Sequence, residues 1–201
     1  MCGIIGYFSS KRCVGFNKPL QEAVQLLNHR GTDDKGIFTS DKFGLGFTRL
    51  SIQDLTKKGH QPMLSKDSRY ALVFNGEIYN FKDIRHNLES KGHKFYTRTD
   101  TEVLLKLYEI KGENCINDLE GMFAFAIVDK KNNTIFLARD RFGIKPLYIL
   151  KDKGILYFTS EIKAFLPFVI SNNIKWEINE DVLNEQMVFR FVSGKETLIK
   201  N

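Results

Sequence analysis

Two pairs of apolar runs, each pair divided by only four polar residues, restrict this chain more than any other feature. "MFAFAIVD" (122–129) continues through "KKNN" into "TIFLARD" (134–140), and "PLYIL" (146–150) continues through "KDKG" into "ILYFTS" (155–160). Gaps this short are hairpin gaps, and hairpins pair antiparallel, whereas a parallel pair needs a crossover of a dozen residues or more. Further strands are expected at "GIIGYF" (3–8), "LGFTRLSI" (45–52) and "YALVF" (70–74). Helical periodicity marks "NKPLQEAVQLLNHRG" (17–31), with Pro19 near its start, Leu20, Val24 and Leu27 on one face and Gly31 where it stops. It also marks "NFKDIRHNLESKG" (80–92), from a cap at Asn80, and "TDTEVLLKLYEIKG" (99–112), from a cap at Thr99 or Asp100. The helices come in a block between strands and not one per strand, so the class is α+β and not doubly wound α/β. Past Trp176 strand signals fade, and one more short helix is expected in "NEDVLNEQMV" (179–188).

Composition narrows the function classes. At 201 residues, 42% of them hydrophobic, the chain can bury one full core. The net charge of +6 is spread over single and paired basic residues such as Lys57-Lys58, with no dense stripe, so a nucleic-acid partner is not expected. No run reaches the length of a membrane span and the N-terminus lacks a signal-peptide plan, so no membrane partner is expected and the cytoplasm is the expected compartment. Three cysteines without CxxC spacing suggest neither a disulfide framework nor a metal site. Cys13 and Cys115 read as small packing residues.

The remaining cysteine, Cys2 in "MCGIIGYF", sits directly behind the initiator methionine. Removal of Met1 would place a thiol and a free α-amine on one carbon, a nucleophile and a base in a single residue. Other polar positions have two readings each. Asn75-Gly76 in "FNGEIYN" is a favoured tight-turn pair, yet it also supplies a carboxamide N–H and an adjacent backbone N–H able to converge on one oxyanion. Asp100 is a helix cap or a ligand; Arg49 in "FTRLSI" is an edge-strand charge or an anion anchor. His29, His60, His86 and His93 show no ligand spacing.

Taken in order, "MCGIIGYF", "NHRGTDDKGI", "FTRLSI", "FNGEIYNF", "RTDTEVLL", "LEGMFAFAIVD" and "ARDRFGIKPLY" resemble the glutamine amidotransferase half of the glutamine-hydrolysing asparagine synthetase family, over about residues 2–200. The resemblance implies the N-terminal nucleophile hydrolase fold, a four-layer αββα sandwich of two antiparallel sheets. It implies an amidotransferase domain over residues 1–188, with 189–201 beginning a connector to a C-terminal ATP-dependent synthetase domain. It also implies the residue roles. Cys2 matches the nucleophile, and Asn75 with Gly76 the oxyanion hole. Arg49 matches the anchor of the α-carboxylate, assisted by backbone of Leu50, Ser51, Ile52 and Gln53. Glu77 and Asp100 match the residues near the α-ammonium. One departure is Thr32, where the family usually has proline, which bears on the rigidity of that loop. No cofactor or metal is expected in this domain, while ATP and magnesium are expected for the synthetase domain; a homodimer is open.

Chemistry agrees with these roles. A free thiol has a pKa of about 8.5 and an α-amine about 7.7 to 8.0, so near neutral pH the amine can accept the thiol proton without a histidine. Selecting glutamine, a zwitterion ending in a neutral amide, needs a cation, an anion and a reacting group at fixed spacing, and the planar arginine fork suits the carboxylate. Two other classes remain open: a regulatory module that keeps the fold without the chemistry, and a Cys–His hydrolase pairing Cys2 with His29 or His60. "ARDRFGIKPLY" reads as structural, a strand-linking turn.

Overall fold

The computed structural model describes residues 1–52 and 54–200. The opening apolar run forms β1 (Gly3–Ser9), buried along nearly its whole length because it lies in the middle of a sheet covered on both faces. Helix α1 (Asn17–Leu26) follows, then β2 (Asp34–Thr39) and β3 (Phe43–Arg49). Next come β4 (Met63–Leu64), β5 (Tyr70–Ile78), α2 (Phe81–Ser90) and α3 (Asp100–Lys111). The hairpin strands are β6 (Gly121–Asp129) with β7 (Thr134–Arg139), and β8 (Tyr148–Asp152) with β9 (Ile155–Thr159). The described chain closes with α4 (Leu166–Asn172), β10 (Glu177–Ile178), α5 (Leu183–Phe189) and β11 (Ile199–Lys200).

Both expected hairpins form, and every strand pair in the two main sheets is antiparallel. One sheet runs β2-β3-β1-β9-β8, the other β4-β5-β6-β7. Their facing sides make the central core, where Ile4, Leu45, Phe47 and Phe158 of the first meet Ala71, Val73, Ala124 and Ala126 of the second. Large side chains on one sheet and small ones on the other let the layers approach closely. Leu20, Val24 and Phe168 of α1 and α4 cover the outer face of the first sheet, while Leu88, Leu104 and Tyr108 of α2 and α3 cover that of the second. The result is the four-layer αββα order.

Several local expectations change. The strand expected over 45–52 ends at Arg49, so Leu50–Ile52 is loop. Asn75-Gly76 makes no turn: β5 runs straight through it, with Asn75 opposite Ala124 and Gly76 opposite Phe123. A Cβ on Gly76 would lie 2.7 Å from the Phe123 Cα, so close approach of the β6 backbone, not turn formation, calls for glycine there. Thr99 caps α3 by accepting the Glu102 N–H at 3.2 Å, which makes Asp100 the first helical residue. Asn80 does not cap α2 with its side chain; it bridges to the main chain of Asp118 and Glu120 instead. Strand β2 and helix α4 were not expected, and the tail folds back so that β11 pairs with β10.

Candidate active site

Antiparallel pairing of β1 with β3 sets Gly3 opposite Thr48, which places the residue before β1 beside the residues that end β3. Cys2 therefore meets Leu50: the Leu50 N–H approaches its Sγ at 3.5 Å, and the thiol lies 3.6 Å from the Leu50 carbonyl. Burial pushes the Cys2 thiol above its ordinary pKa, with the Leu50 contact, the chain's amino terminus and Arg49 pulling the other way. An activating base is thus required for a thiolate near neutral pH.

The nucleophile's main chain is clamped. Arg30, its side chain only 8% exposed, donates from Nε to the Cys2 carbonyl at 2.9 Å and from Nη1 to Glu161 at 2.9 Å. Glu161 also takes His29 at 2.8 Å. Burial pushes the Glu161 carboxyl up, but Arg30, His29 and Lys163 together hold it down at about 2. Neither Arg30 nor Glu161 stood out in the sequence, since a salt bridge 131 positions long leaves no spacing signal.

Arg49 is buried, with Nη1 donating to the Thr56 carbonyl at 2.8 Å and Nη2 to that of Asp54. Asp54 steadies this loop by accepting the Thr56 and Arg98 amides. Gly59 lies so close to the guanidinium that any side chain there would displace it. Among the described residues these two bonds leave three of the five guanidinium donors for an anion. The Ser51 amide donates to Asp33 at 2.7 Å and that of Leu50 points at the Cys2 sulfur. The same Asp33 bond ties down the loop carrying Thr32, without the proline. Gln53 lies outside the described residues.

On the opposite wall Asn75 is 1% exposed and its Nδ2 has no hydrogen-bond partner among the described residues. An enclosed amide donor left unsatisfied is costly, and this one lines the cavity, where an acceptor on a ligand could meet it. Asp100 accepts the Ile78 amide at 3.1 Å, and burial, with Glu77 beside it, pushes its carboxyl up to about 6. Cys2, Arg49, Leu50, Ser51, Ile52, Asn75, Gly76, Glu77 and Asp100 all line one cavity. Gln61, Thr101, Met122 and Lys145, which the sequence did not single out, line it too. A larger cavity of about 470 Å³ between α2 and α3 has no cysteine, serine or threonine in its wall. His29 and His60 are held by Glu161 and Asp34, and neither lines the Cys2 cavity, which removes the support for a Cys–His pair.

A family model for the glutamine amidotransferase domain matches residues 1–201. The chain belongs to that family. Its amidotransferase fold is that of the N-terminal nucleophile hydrolases, as in the glutamine phosphoribosylpyrophosphate amidotransferase of Bacillus subtilis, which superposes with a TM-score of 0.69 at 25% identity over 82% of this chain and 43% of that one. Among curated relatives, asparagine synthetase [glutamine-hydrolyzing] 1 of Bacillus subtilis is 41% identical over 98% of this chain and 31% of its own length. Asparagine synthetase B of Escherichia coli is 41% identical over 83% of this chain and 30% of its own length. The amidotransferase domain thus spans about a third of the length of these relatives. Among its described residues no helix is long and apolar enough to cross a membrane.

Proposed function

We infer that this domain hydrolyses L-glutamine to glutamate and ammonia through a thioester on Cys2. The observation that carries the reading is the buried Asn75 Nδ2, without a partner among the described residues, in the cavity that Cys2 also lines. Arg49 holds the substrate's α-carboxylate while Asp100 and Glu77 face its α-ammonium, which sets the amide before Cys2. With Met1 removed, the free α-amine takes the thiol proton, and the sulfur adds to the amide carbon. The Asn75 Nδ2 and the Gly76 N–H receive the oxyanion. The amine returns its proton to the departing nitrogen, the C–N bond breaks, and ammonia leaves. Water then adds to the thioester, and cleavage of the C–S bond releases glutamate.

The ammonia serves a C-terminal synthetase domain using ATP and magnesium on a carboxylate acceptor, aspartate first among candidates. Support comes from relatives about three times as long that are named glutamine-hydrolysing asparagine synthetases. Three free cysteines suit a cytoplasmic setting. The test is alkylation by a diazo-ketone analogue of glutamine, followed by intact mass and peptide mapping, alongside glutamate release from glutamine. Protein lacking Met1 is expected to be modified at Cys2 and active, and protein retaining Met1 inactive. Unmodified, inert protein with a free Cys2 amine would overturn the reading and favour a regulatory module.

A further inference from the structure

Lys145 is 7% exposed and lines the Cys2 cavity, and its ammonium has no carboxylate or other acceptor among the described residues. Its position is built deliberately. Asp140 accepts four backbone amides, those of Phe123 (3.2 Å), Phe142 (3.1 Å), Ile144 (2.9 Å) and Lys145 (3.0 Å), which ties the loop between β7 and β8 to the second sheet. Phe123 sits opposite Gly76 in the ladder, so one carboxylate fixes the Lys145 backbone to the strand that flanks the oxyanion donors. The loop read from sequence as a strand-linking turn thereby places Lys145 in the cavity wall.

The substrate's own charges leave none for the Lys145 ammonium in the ground state. Glutamine brings one carboxylate and one ammonium, which Arg49 on one side and Asp100 with Glu77 on the other receive. Asp54, also in the wall, keeps its carboxylate on the Thr56 and Arg98 amides. The neutral substrate amide offers a lysine little in the ground state. The anionic oxygen of the tetrahedral adduct, and later the γ-carboxylate of glutamate, offer it a full opposite charge. Resting on the glutaminase reading above, we propose that Lys145 is a catalytic cation of this site, supplying charge to the oxyanion alongside Asn75 and Gly76. An interaction made only as charge develops raises kcat and leaves KM nearly untouched.

The test compares wild type, Lys145→Met and Lys145→Arg, each verified by mass to lack Met1, in glutamine hydrolysis, glutamate inhibition and thermal melting. Lys145→Met is expected to lower kcat roughly tenfold or more with KM within about twofold. It should weaken product inhibition by glutamate, and Lys145→Arg should recover most of the rate. Melting separates this from misfolding, since the Lys145 ammonium leaves no partner behind among the described residues and Lys145→Met is expected to melt within a few degrees of wild type. An unchanged kcat, a loss confined to KM, or an arginine variant as slow as the methionine one would overturn the assignment. If wild type hydrolyses glutamine and Lys145→Met matches it, this inference alone fails; a wild type inert to glutamine and to the diazo-ketone removes the glutaminase reading with it.

Discussion

The two walls of the cavity differ in what their polar groups already hold. On the first-sheet wall each charged side chain is anchored inside the protein: Arg30 on the Cys2 carbonyl and Glu161, Arg49 on the loop carbonyls of Asp54 and Thr56, Asp33 on the Ser51 amide, with the Arg30 Nη2 left without a partner among the described residues. On the second-sheet wall, Asn75 Nδ2 and the Lys145 ammonium have no partner among the described residues, and Asp100 is held short of comfortable ionisation. A satisfied wall positions; an unsatisfied wall is complementary to charge that arrives with the substrate or forms during reaction. Mutations on the first side should therefore act through stability and placement of the substrate, and those on the second through the charge that arrives with it or forms during reaction.

The largest expected effect is at Asn75. Asn75→Ala removes one oxyanion donor and should lower kcat about a hundredfold or more, roughly 2.7 to 4 kcal/mol, with little change in KM. Because its amide nitrogen leaves no partner behind, the melting temperature should stay within a few degrees of wild type. Steady-state kinetics with calorimetry on the same preparation checks both halves. A variant that unfolds while retaining normal kcat would invert the contrast between walls.

Next is Gly59→Ala on the positioning side. The new methyl occupies the place of the Arg49 guanidinium, so the anchor must move. We expect KM for glutamine to rise by about thirtyfold, roughly 2 kcal/mol, with kcat much less affected. A smaller response is expected at Glu161. Glu161→Ala strands a buried Arg30, and losing such a partner is worth about 1 to 3 kcal/mol, a fall in melting temperature of roughly 2 to 12 °C for a chain this size. The Cys2 carbonyl then loses its restraint and kcat should drop severalfold. Retained stability with collapsed activity would show that the clamp acts on chemistry alone.

The same contrast explains which parts the sequence revealed. Hairpin spacing and helical periodicity are local, so β6 with β7, β8 with β9 and helices α1 to α3 were readable from short windows. Strand β2, with Gly36 in its middle and three of its six residues charged or glycine, lacks the apolar alternation that marks a strand and is stabilised by pairing with β3. The site residues were legible only as an ordered set of motifs, because each had an ordinary local explanation. Asn75-Gly76 shows why: the dipeptide that favours a turn in isolation is drawn into β5 by nine paired positions with β6. Arg30, Glu161 and Lys145 owe their roles to partners or cavities assembled by tertiary pairing, which no window of sequence contains.

The smallest effect, and the one that sets the two walls against each other most directly, is the pH response of Asp100. Its carboxyl titrates at about 6 in the folded protein against an ordinary 3.8, so the ionised, buried form burdens the native state above pH 6. As pH falls from 7 towards 4.5 the native state takes up this proton before the unfolded chain does, and the Asp100 contribution to stability rises. Binding should respond with the opposite sign, because the substrate ammonium needs the carboxylate. A single group titrating at about 6 is some nine-tenths ionised at pH 7 and a quarter at pH 5.5, so KM should climb about fourfold across that interval. Asp100→Asn should flatten both curves, raising the melting temperature at pH 8 while fixing KM at a high, pH-independent value. Parallel movement of stability and affinity in wild type would mean that Asp100 belongs with the satisfied groups that position, and not with those awaiting the substrate.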